Sequence, residues 1–194
     1  MREFTDLRDD NTEDSLWACE HHSVYTLGQA GKREHILNAA DIPVVHSDRG
    51  GQVTWHGPGQ LVVYTLIDLR RAGYGIRDMV MRLEQSVINV LALQGVHAVA
   101  RRDAPGVYVD NAKIAALGLR VRRGCSYHGL ALNVDANLSA FNGINPCGFK
   151  ELGVTRTLDV GIKTGKKALL DALLEQLTLC LSEPDRQIRV DNTE

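Results

Sequence analysis

One cysteine of this sequence occupies a position that favours nucleophilic chemistry. Cys147 stands between Pro146 and Gly148. Proline fixes φ on one side and glycine permits an unusual turn on the other, so we expect a rigid corner that projects the thiol. Because the thiolate is the reactive form of cysteine, a thiol held in this way could act as a nucleophile. A structural loop cysteine is the alternative interpretation.

Lys113 is the candidate partner of that thiol. Strand alternation within 112–121 would place Lys113 on one face with Ala115, Leu117 and Leu119, so we expect an ammonium group among apolar neighbours. A nearby cation lowers the pKa of a thiol, and the two groups together would supply a thiolate and a proton carrier. The alternative is a lysine that protects an exposed strand edge from aggregation.

The segment 49–60, RGGQVTWHGPGQ, has a composition that neither a core helix nor a core strand needs. Its glycines allow positive φ and the close approach of a ligand to the backbone, which predicts a substrate-binding loop. A structural hairpin loop is the alternative. His56 within this segment, and His128 before the small-residue run 129–131, could line a binding slot. The alternative for each is that it holds a neighbouring loop by one hydrogen bond.

The elements that must position these residues mix strands with helices. Apolar residues at three- and four-residue spacing predict helices at 76–93 and 166–181. Short β-type runs predict strands at 16–20, 24–27, 42–46, 61–69, 106–109, 112–121 and 127–134. Asp110 and Asn111 predict the turn of a hairpin, and residues 1–14 form a polar lead-in. Because strands and helices do not alternate strictly, the pattern favours an α+β fold.

Composition and charge limit the function. The 194 residues fit one domain, 1–194, with 44% hydrophobic residues and a net charge of −2. This charge favours neither nucleic acid nor an anionic membrane surface. The polar, acidic N-terminus is unlike a signal peptide, so we expect a cytoplasmic protein with reduced thiols. The sequence contains no HExxH motif, no CxxC pair and no glycine-rich phosphate-binding motif, so we expect no metal site.

Three long segments together resemble one enzyme family, the lipoyl(octanoyl) transferases. They are RGGQVTWHGPGQ at 49–60, AKIAALGLRVRRGCSYHGLALN at 112–133 and INPCG at 144–148, and the match extends over about 14–160 in the same order. The glycine-rich loop and the lysine strand alone would not be specific, because lipoate and biotin protein ligases carry related segments. The resemblance implies a mixed β-sheet flanked by helices, as in the biotin/lipoate ligase catalytic domain.

The resemblance also implies a reaction and the residues that perform it. The family moves an octanoyl group from acyl carrier protein to a lysine of lipoate-dependent enzymes. It uses an acyl-thioester on a cysteine, which is Cys147 here, and a lysine as acid and base, which is Lys113 here. The matching acyl pocket consists of Arg49, Gly50, Gly51, Gln52, Val53, Thr54, Trp55, His56, Ala116, Leu117, Gly118, Gly129, Leu130 and Ala131.

The implied partners are octanoyl-acyl carrier protein, the lipoyl domains of 2-oxoacid dehydrogenase complexes and the H protein of glycine cleavage. We expect a monomer that needs neither ATP nor a metal and binds neither nucleic acid nor a membrane. The cluster Arg120, Arg122 and Arg123 could be a landing site for an acidic partner or simply a solvated surface. Relatives usually carry another strand–helix segment before the region matching 6–14, so the N-terminal edge element could be truncated.

Other functions remain open at this point. An ATP-dependent lipoate or biotin ligase would use the lysine but no acyl-cysteine. A binding module would hold acyl carriers or lipoyl domains without turnover, yet it would not need a paired thiol and amine. A thioesterase would release the free fatty acid when no acceptor protein is present.

Overall fold

The computed structural model describes residues 1–148, 152–182 and 189–192, and the side chains of Cys147 and of 189–192 lie outside that description. The helices are α1 (Arg2–Leu7), α2 (Leu69–Ala72), α3 (Ile76–Leu93) and α4 (Lys166–Leu181). The strands are β1 (Ser15–Cys19), β2 (Val24–Leu27), β3 (Val44–His46), β4 (Val53–His56), β5 (Gln60–Leu66), β6 (Val99–Ala100), β7 (Gly106–Val109), β8 (Ala112–Arg122), β9 (Cys125–Asn133) and β10 (Arg189–Asn192). Short 3-10 turns occupy Arg33–His35, Leu138–Gly143 and Pro146–Gly148.

The strands of the described residues form two sheets. The larger has the order β10-β1-β5-β9-β8-β7-β6, and the smaller has the order β3-β2-β4. Neighbours in the larger sheet are antiparallel except β1 and β10, which are parallel. The sheets are thus mixed and have helices beside them, which confirms the α+β fold predicted from the sequence.

Helices α3 and α4 cover one face of the larger sheet. Their periodic apolar positions, including Met79, Leu83, Leu173 and Leu177, pack on strand residues such as Ile114. α3 begins after Gly75, whose N–H donates to the Asp78 carboxylate at 3.2 Å. Both helices have the limits that the apolar spacing predicted, because that spacing is a local property of the sequence.

The smaller sheet builds a second core on the other side of the molecule. Tyr25, Leu27, Val53 and Trp55 pack there with Phe141. The Trp55 indole N–H donates to the Ser23 hydroxyl at 2.8 Å, and its ring meets the edge of Phe141. This core fixes β4 and β2 opposite the face of the larger sheet that the helices do not cover.

Three sequence predictions need correction. The segment 49–60 is not loop throughout, because Val53–His56 pairs with β2 as strand β4. The strand predicted over 61–69 ends at Leu66, and Asp68 then accepts hydrogen bonds from two backbone N–H groups and caps the short helix α2. The polar lead-in contains helix α1, in which Thr5 is buried.

The hairpin between β7 and β8 contains the irregularity that positions the candidate lysine. Asp110 and Asn111 both have positive φ, at 47° and 67°, as a two-residue turn of type I′ requires. Beyond the turn Tyr108 pairs with Lys113, but Val107 pairs with Ala115. One residue of β8, Ile114, therefore has no partner on β7 and forms a β-bulge.

Candidate active site

The bulge turns Lys113 away from the helix-covered core. Ile114 and Ala115, although adjacent in sequence, are both fully buried in that core. Strand alternation then places Lys113 on the same face as Ala116 and Gly118. The expectation that Lys113 shares a face with Ala115, Leu117 and Leu119 is wrong for this reason.

Lys113 is almost completely buried on this face, with 4% of its surface exposed. Its Nζ donates to the carbonyl oxygen of Pro105 at 3.0 Å and lies 5.3 Å from the centre of the Tyr108 ring. The backbone of Lys113 is held by Gly153 and Thr155, through N···O distances of 2.8 and 3.0 Å. A buried cation fixed by these contacts is unlike an exposed lysine that protects a strand edge.

The turn that carries Cys147 lies against the glycine-rich loop. The backbone N–H of Gly148 donates to Asn145 at 3.0 Å, and the N–H of Asn145 donates to the carbonyl of His35. A Cβ atom at Gly148 would lie 3.5 Å from Cγ of Gln52. Pro146–Gly148 forms a 3-10 turn. The thiol itself lies outside the described side chains, so its role stays a prediction.

A cavity separates the two sheets at this point. Its volume is about 80 Å³, so the space between the sheets is narrow. Gly118 and Gly129 stand opposite each other in its wall, where β8 pairs with β9. A Cβ at Gly129 would lie 2.0 Å from the Val63 carbonyl oxygen, and one at Gly118 would lie 3.2 Å from Arg49. The absence of side chains at this pair leaves a narrow slot.

All but two of the residues predicted to bind substrate line this cavity. The exceptions are Gly50, whose N–H bonds to the Leu119 carbonyl, and Trp55, whose side chain belongs to the second core. The cavity-lining residues from the prediction are Arg49, Gly51, Gln52, Val53, Thr54, His56, Ala116, Leu117, Gly118, Gly129, Leu130 and Ala131. Substrate binding by these residues stays a prediction.

Sequence reasoning missed part of the cavity wall. Thr26 and Ser47 line it from the smaller sheet and the following loop, and Val62 and Tyr64 line it from β5. The alternation of β5 could have found the last two, because Leu61 and Val63 face the helix-covered core. His128, weighed as a slot residue, also lines the cavity, but from strand β9 and not from a loop.

The buried guanidinium of Arg49 shapes the glycine-rich loop. It donates to the carbonyl oxygens of Thr26 at 2.6 Å, Gly50 at 2.8 Å and Gln52 at 2.7 Å, and to the Thr26 hydroxyl. A planar guanidinium can satisfy several carbonyls at once, which a lysine ammonium cannot do with the same geometry. Arg49 therefore ties the loop to β2 in addition to lining the cavity.

A chain of amide hydrogen bonds fixes the ring of His56. Asn133 donates through Nδ2 to the Thr155 carbonyl at 2.9 Å, so its Oδ1 accepts from Gln60 Nε2 at 2.9 Å. The Gln60 Oε1 then faces His56 Nδ1 at 2.7 Å and accepts its hydrogen. Burial lowers the pKa of His56 to about 4. His56 is therefore neutral near pH 7, with Nε2 as an acceptor.

A second polar cluster, formed by Asp48, Tyr127 and His128, lies next to the cavity. Asp48 accepts from the Tyr127 hydroxyl at 2.6 Å and lies 2.8 Å from His128 Nε2. Burial opposes ionisation of Asp48, but the hydrogen bonds from Tyr127 and His128 outweigh it and lower the pKa of the carboxyl group. Burial also lowers the pKa of His128, against the attraction of Asp48. The contact with Asp48 holds His128, which has a positive φ of 59° within strand β9.

The three arginines of the basic cluster, Arg120, Arg122 and Arg123, do not share one surface site. Arg122 pairs with the Asp6 carboxylate at 3.0 Å, and Arg123 donates to the Asp6 carbonyl, so both contact α1. Arg120 instead lines a separate groove together with Arg70.

Among the described residues, no group of three or more His, Cys, Asp or Glu side chains is arranged to hold a metal ion. No helix in the same part of the chain has the length and apolar character needed to cross a bilayer.

Solved structures of ligases share this fold. An archaeal bipartite lipoate protein ligase from Thermoplasma acidophilum, described with its E2 lipoyl domain, superposes with a TM-score of 0.74 at 16% identity, covering 100% of this chain and 80% of the other. The biotin protein ligase of Aquifex aeolicus, in complex with biotin and ATP, gives a TM-score of 0.54 at 15% identity, covering 85% and 68%. At these identities the likeness concerns the fold.

Other proteins have a much higher sequence identity to this chain than these ligases have. An octanoyltransferase of Thiobacillus denitrificans is 59% identical over 177 residues, covering 89% of this chain and 81% of the relative. An octanoyltransferase of Halorhodospira halophila is 62% identical over 164 residues, covering 84% and 76%. The family model of the lipoyl protein ligase A/B catalytic domain matches residues 2–177. This chain therefore belongs to the lipoyl protein ligase A/B catalytic-domain family.

Proposed function

We propose that this protein is an octanoyltransferase that moves an octanoyl group from acyl carrier protein, through a thioester on Cys147, to a lysine of a lipoyl domain. Relatives at about 60% identity carry the name octanoyltransferase. The structural observation that carries the proposal is the buried Lys113 on the same strand face that lines the narrow cavity. A buried amine on the strand face whose other residues line a narrow cavity suits acyl transfer.

In the first half-reaction the Cys147 thiolate attacks the carbonyl carbon of the octanoyl thioester. The new carbon–sulfur bond forms on Cys147, the bond to the carrier's sulfur breaks, and the carrier leaves as a thiol after taking a proton from Lys113. One thioester replaces another of similar energy, so the step needs no ATP.

In the second half-reaction the acceptor lysine attacks the acyl-enzyme as a neutral amine. An amide bond forms, the bond to Cys147 breaks, and Lys113 takes the proton that the amine loses. The same lysine thus acts as acid and then as base. Its burial away from water supports this role, because the proton then passes between the reacting groups and not to solvent.

The cavity would hold the octanoyl chain between the two sheets. Each buried methylene contributes about 0.8 kcal/mol, so one carbon changes the preference only about fourfold by burial alone. A closed end rejects longer chains more sharply, through steric overlap. The narrow space over the paired Gly118 and Gly129 is the part that such a chain would enter.

The partners that we propose are octanoyl-acyl carrier protein as donor, and lipoyl domains of 2-oxoacid dehydrogenase complexes and the glycine cleavage H protein as acceptors. A structurally similar ligase is described together with an E2 lipoyl domain, which supports the choice of acceptor. The reaction as written uses no metal and no nucleotide.

The decisive comparison is with an ATP-dependent ligase. Purified protein is incubated with octanoyl-acyl carrier protein and an unmodified lipoyl domain, with and without ATP and with EDTA, and the intact mass of the domain is measured. We expect the octanoyl mass increase without ATP. A mass increase seen only with free octanoate and ATP would favour the ligase, and octanoate release without acceptor would favour a thioesterase.

A further inference from the structure

Helix α3 carries one carboxylate into the core that it covers. Glu84 is 7% exposed and follows the fully buried Leu83. A buried carboxylate requires a hydrogen-bond or charge partner, because desolvation is otherwise very unfavourable. Its Oε1 accepts from the backbone N–H of Gly106 at 2.8 Å. Burial raises the pKa of Glu84, against the opposing effects of this hydrogen bond and of the positive charge of Lys113.

The peptide group that Glu84 contacts is the same one that Lys113 contacts. The N–H of Gly106 and the carbonyl of Pro105 belong to one peptide unit, and that carbonyl accepts from Lys113 Nζ at 3.0 Å. Resonance couples the two ends of a peptide, and hydrogen bonds in a chain polarise one another. A negative charge on the N–H therefore strengthens the carbonyl as an acceptor for the ammonium.

The backbone at Gly106 brings this peptide unusually close to the lysine. Gly106 has a φ of 146°, and a Cβ there would lie 2.9 Å from Cε of Lys113 and 2.8 Å from the Ala115 carbonyl oxygen. A residue with a side chain would push Lys113 away. The Glu84 carboxylate, the Pro105–Gly106 peptide and the Lys113 ammonium thus form one continuous chain of hydrogen bonds.

We propose that Glu84 is a positioning residue that holds Lys113 charged and in place through the Pro105–Gly106 peptide. The proposal rests on the proposed function, in which Lys113 activates the Cys147 thiol. The side chain of Glu84 does not line the cavity. Its negative charge stabilises the ammonium form of Lys113, which is the form that accompanies the Cys147 thiolate in the proposed mechanism.

Other titratable groups lie near the chain of hydrogen bonds that joins Glu84 to Lys113. Tyr108 presents its ring to Lys113, and its hydroxyl donates to the Ala104 carbonyl at 2.6 Å. The guanidinium of Arg101 lies 5.1 Å from the centre of the same ring and pairs with Asp103. Each of these groups is unchanged in a Glu84 variant, so a difference in pH dependence reports the carboxylate.

The test measures how fast iodoacetamide alkylates Cys147 between pH 6 and 10.5, with peptide mapping to separate this thiol from the others. Glu84→Gln keeps the size of the side chain and an oxygen that can accept from Gly106. Glu175→Gln, on an exposed site of α4, is the matched control. We expect Glu84→Gln to slow alkylation at least fivefold at pH 7, to match wild type near pH 10.5, and to leave the control unchanged.

A general loss of structure would give the opposite result, because unfolding exposes the thiol and speeds alkylation. If Glu84→Gln does not accumulate as folded protein, Glu84→Met replaces it in the same comparison. Equal rates for wild type and Glu84→Gln at pH 7 would overturn the proposal. So would a fivefold slowing by Glu84→Gln in a Lys113→Ala background, because Glu84 would then act without the lysine.

Alkylation also separates this inference from the proposed function, since it requires no acyl substrate. Octanoyl transfer by wild type is measured in parallel. If wild type transfers no octanoyl group while Glu84→Gln still slows alkylation, the function fails and the positioning role stands. If transfer proceeds and Glu84→Gln has no effect, only the positioning role fails.

Discussion

Lys113 stands directly opposite Tyr108 across the β7–β8 pair, and its Nζ lies 5.3 Å from the centre of the Tyr108 ring. The two-residue turn at Asp110 and Asn111 sets this pairing, and the bulge at Ile114 puts Lys113 on the face of β8 that does not pack on the helices. The aromatic ring stabilises the cation where little water reaches it. The result is an amine that is held by protein groups, with only 4% of the Lys113 surface exposed to solvent.

Replacing Lys113 by alanine tests whether this charge activates the thiol. We expect Lys113→Ala to slow alkylation of Cys147 by iodoacetamide about tenfold at pH 7, because a nearby cation favours the thiolate. The rate constant is measured by mass spectrometry of the Cys147 peptide. Lys167→Ala removes an exposed lysine from α4 and is the control. Unchanged alkylation in Lys113→Ala would show that the lysine does not act on the thiol electrostatically.

Filling the slot tests the proposed position of the acyl chain. Ala116 lines the cavity on the same strand face as Gly118, and a larger side chain there would occupy space that the chain needs. We expect Ala116→Leu to lower kcat/KM for octanoyl donor at least tenfold more than for butanoyl donor. Ala100→Leu, at an exposed position of β6, should change neither value. Equal losses for both donors would place the acyl chain elsewhere.

The lowered pKa of the His56 ring predicts a pH dependence of stability. Its pKa of about 4 in the folded protein lies below the usual 6.5, so the folded state favours the neutral ring. This contribution is complete above pH 6.5 and is lost as the pH falls towards 4, because the unfolded chain takes up the proton first. At about 1.4 kcal/mol per pKa unit, the loss between pH 7 and pH 4.5 is about 2 kcal/mol.

Chemical denaturation at these two pH values measures that loss. His56→Gln should unfold with a free energy that varies about 2 kcal/mol less between pH 7 and pH 4.5 than that of wild type. His46→Gln, at an exposed position, should behave like wild type. If His56→Gln kept the full variation, the acid sensitivity would arise from other groups.

The sequence alone predicted the locally encoded parts of the fold well. Helices 76–93 and 166–181 were confirmed because apolar spacing is visible within each segment. The Asp110–Asn111 turn was confirmed because few residue pairs adopt positive φ twice. Strand β4 was missed, since only pairing with β2 makes it a strand.

The site was less accessible to sequence reasoning. The cavity segments came from the family resemblance, because pairing of β8 with β9 and the smaller sheet opposite them are long-range features. The bulge at Ile114 leaves no mark in the sequence, so alternation assigned Lys113 to the wrong face. Glu84 was not noticed because one polar residue within an apolar helical pattern usually faces solvent.

The formation of an octanoyl thioester on Cys147 tests the central claim most directly. Wild type and Cys147→Ser are mixed with octanoyl-acyl carrier protein without an acceptor, and intact mass and peptide mapping locate any added octanoyl group. We predict one octanoyl group on Cys147 in wild type, sensitive to hydroxylamine, and none on the same peptide in Cys147→Ser, together with loss of transfer. Full transfer by Cys147→Ser, or an octanoyl group on another residue of wild type, would contradict the account.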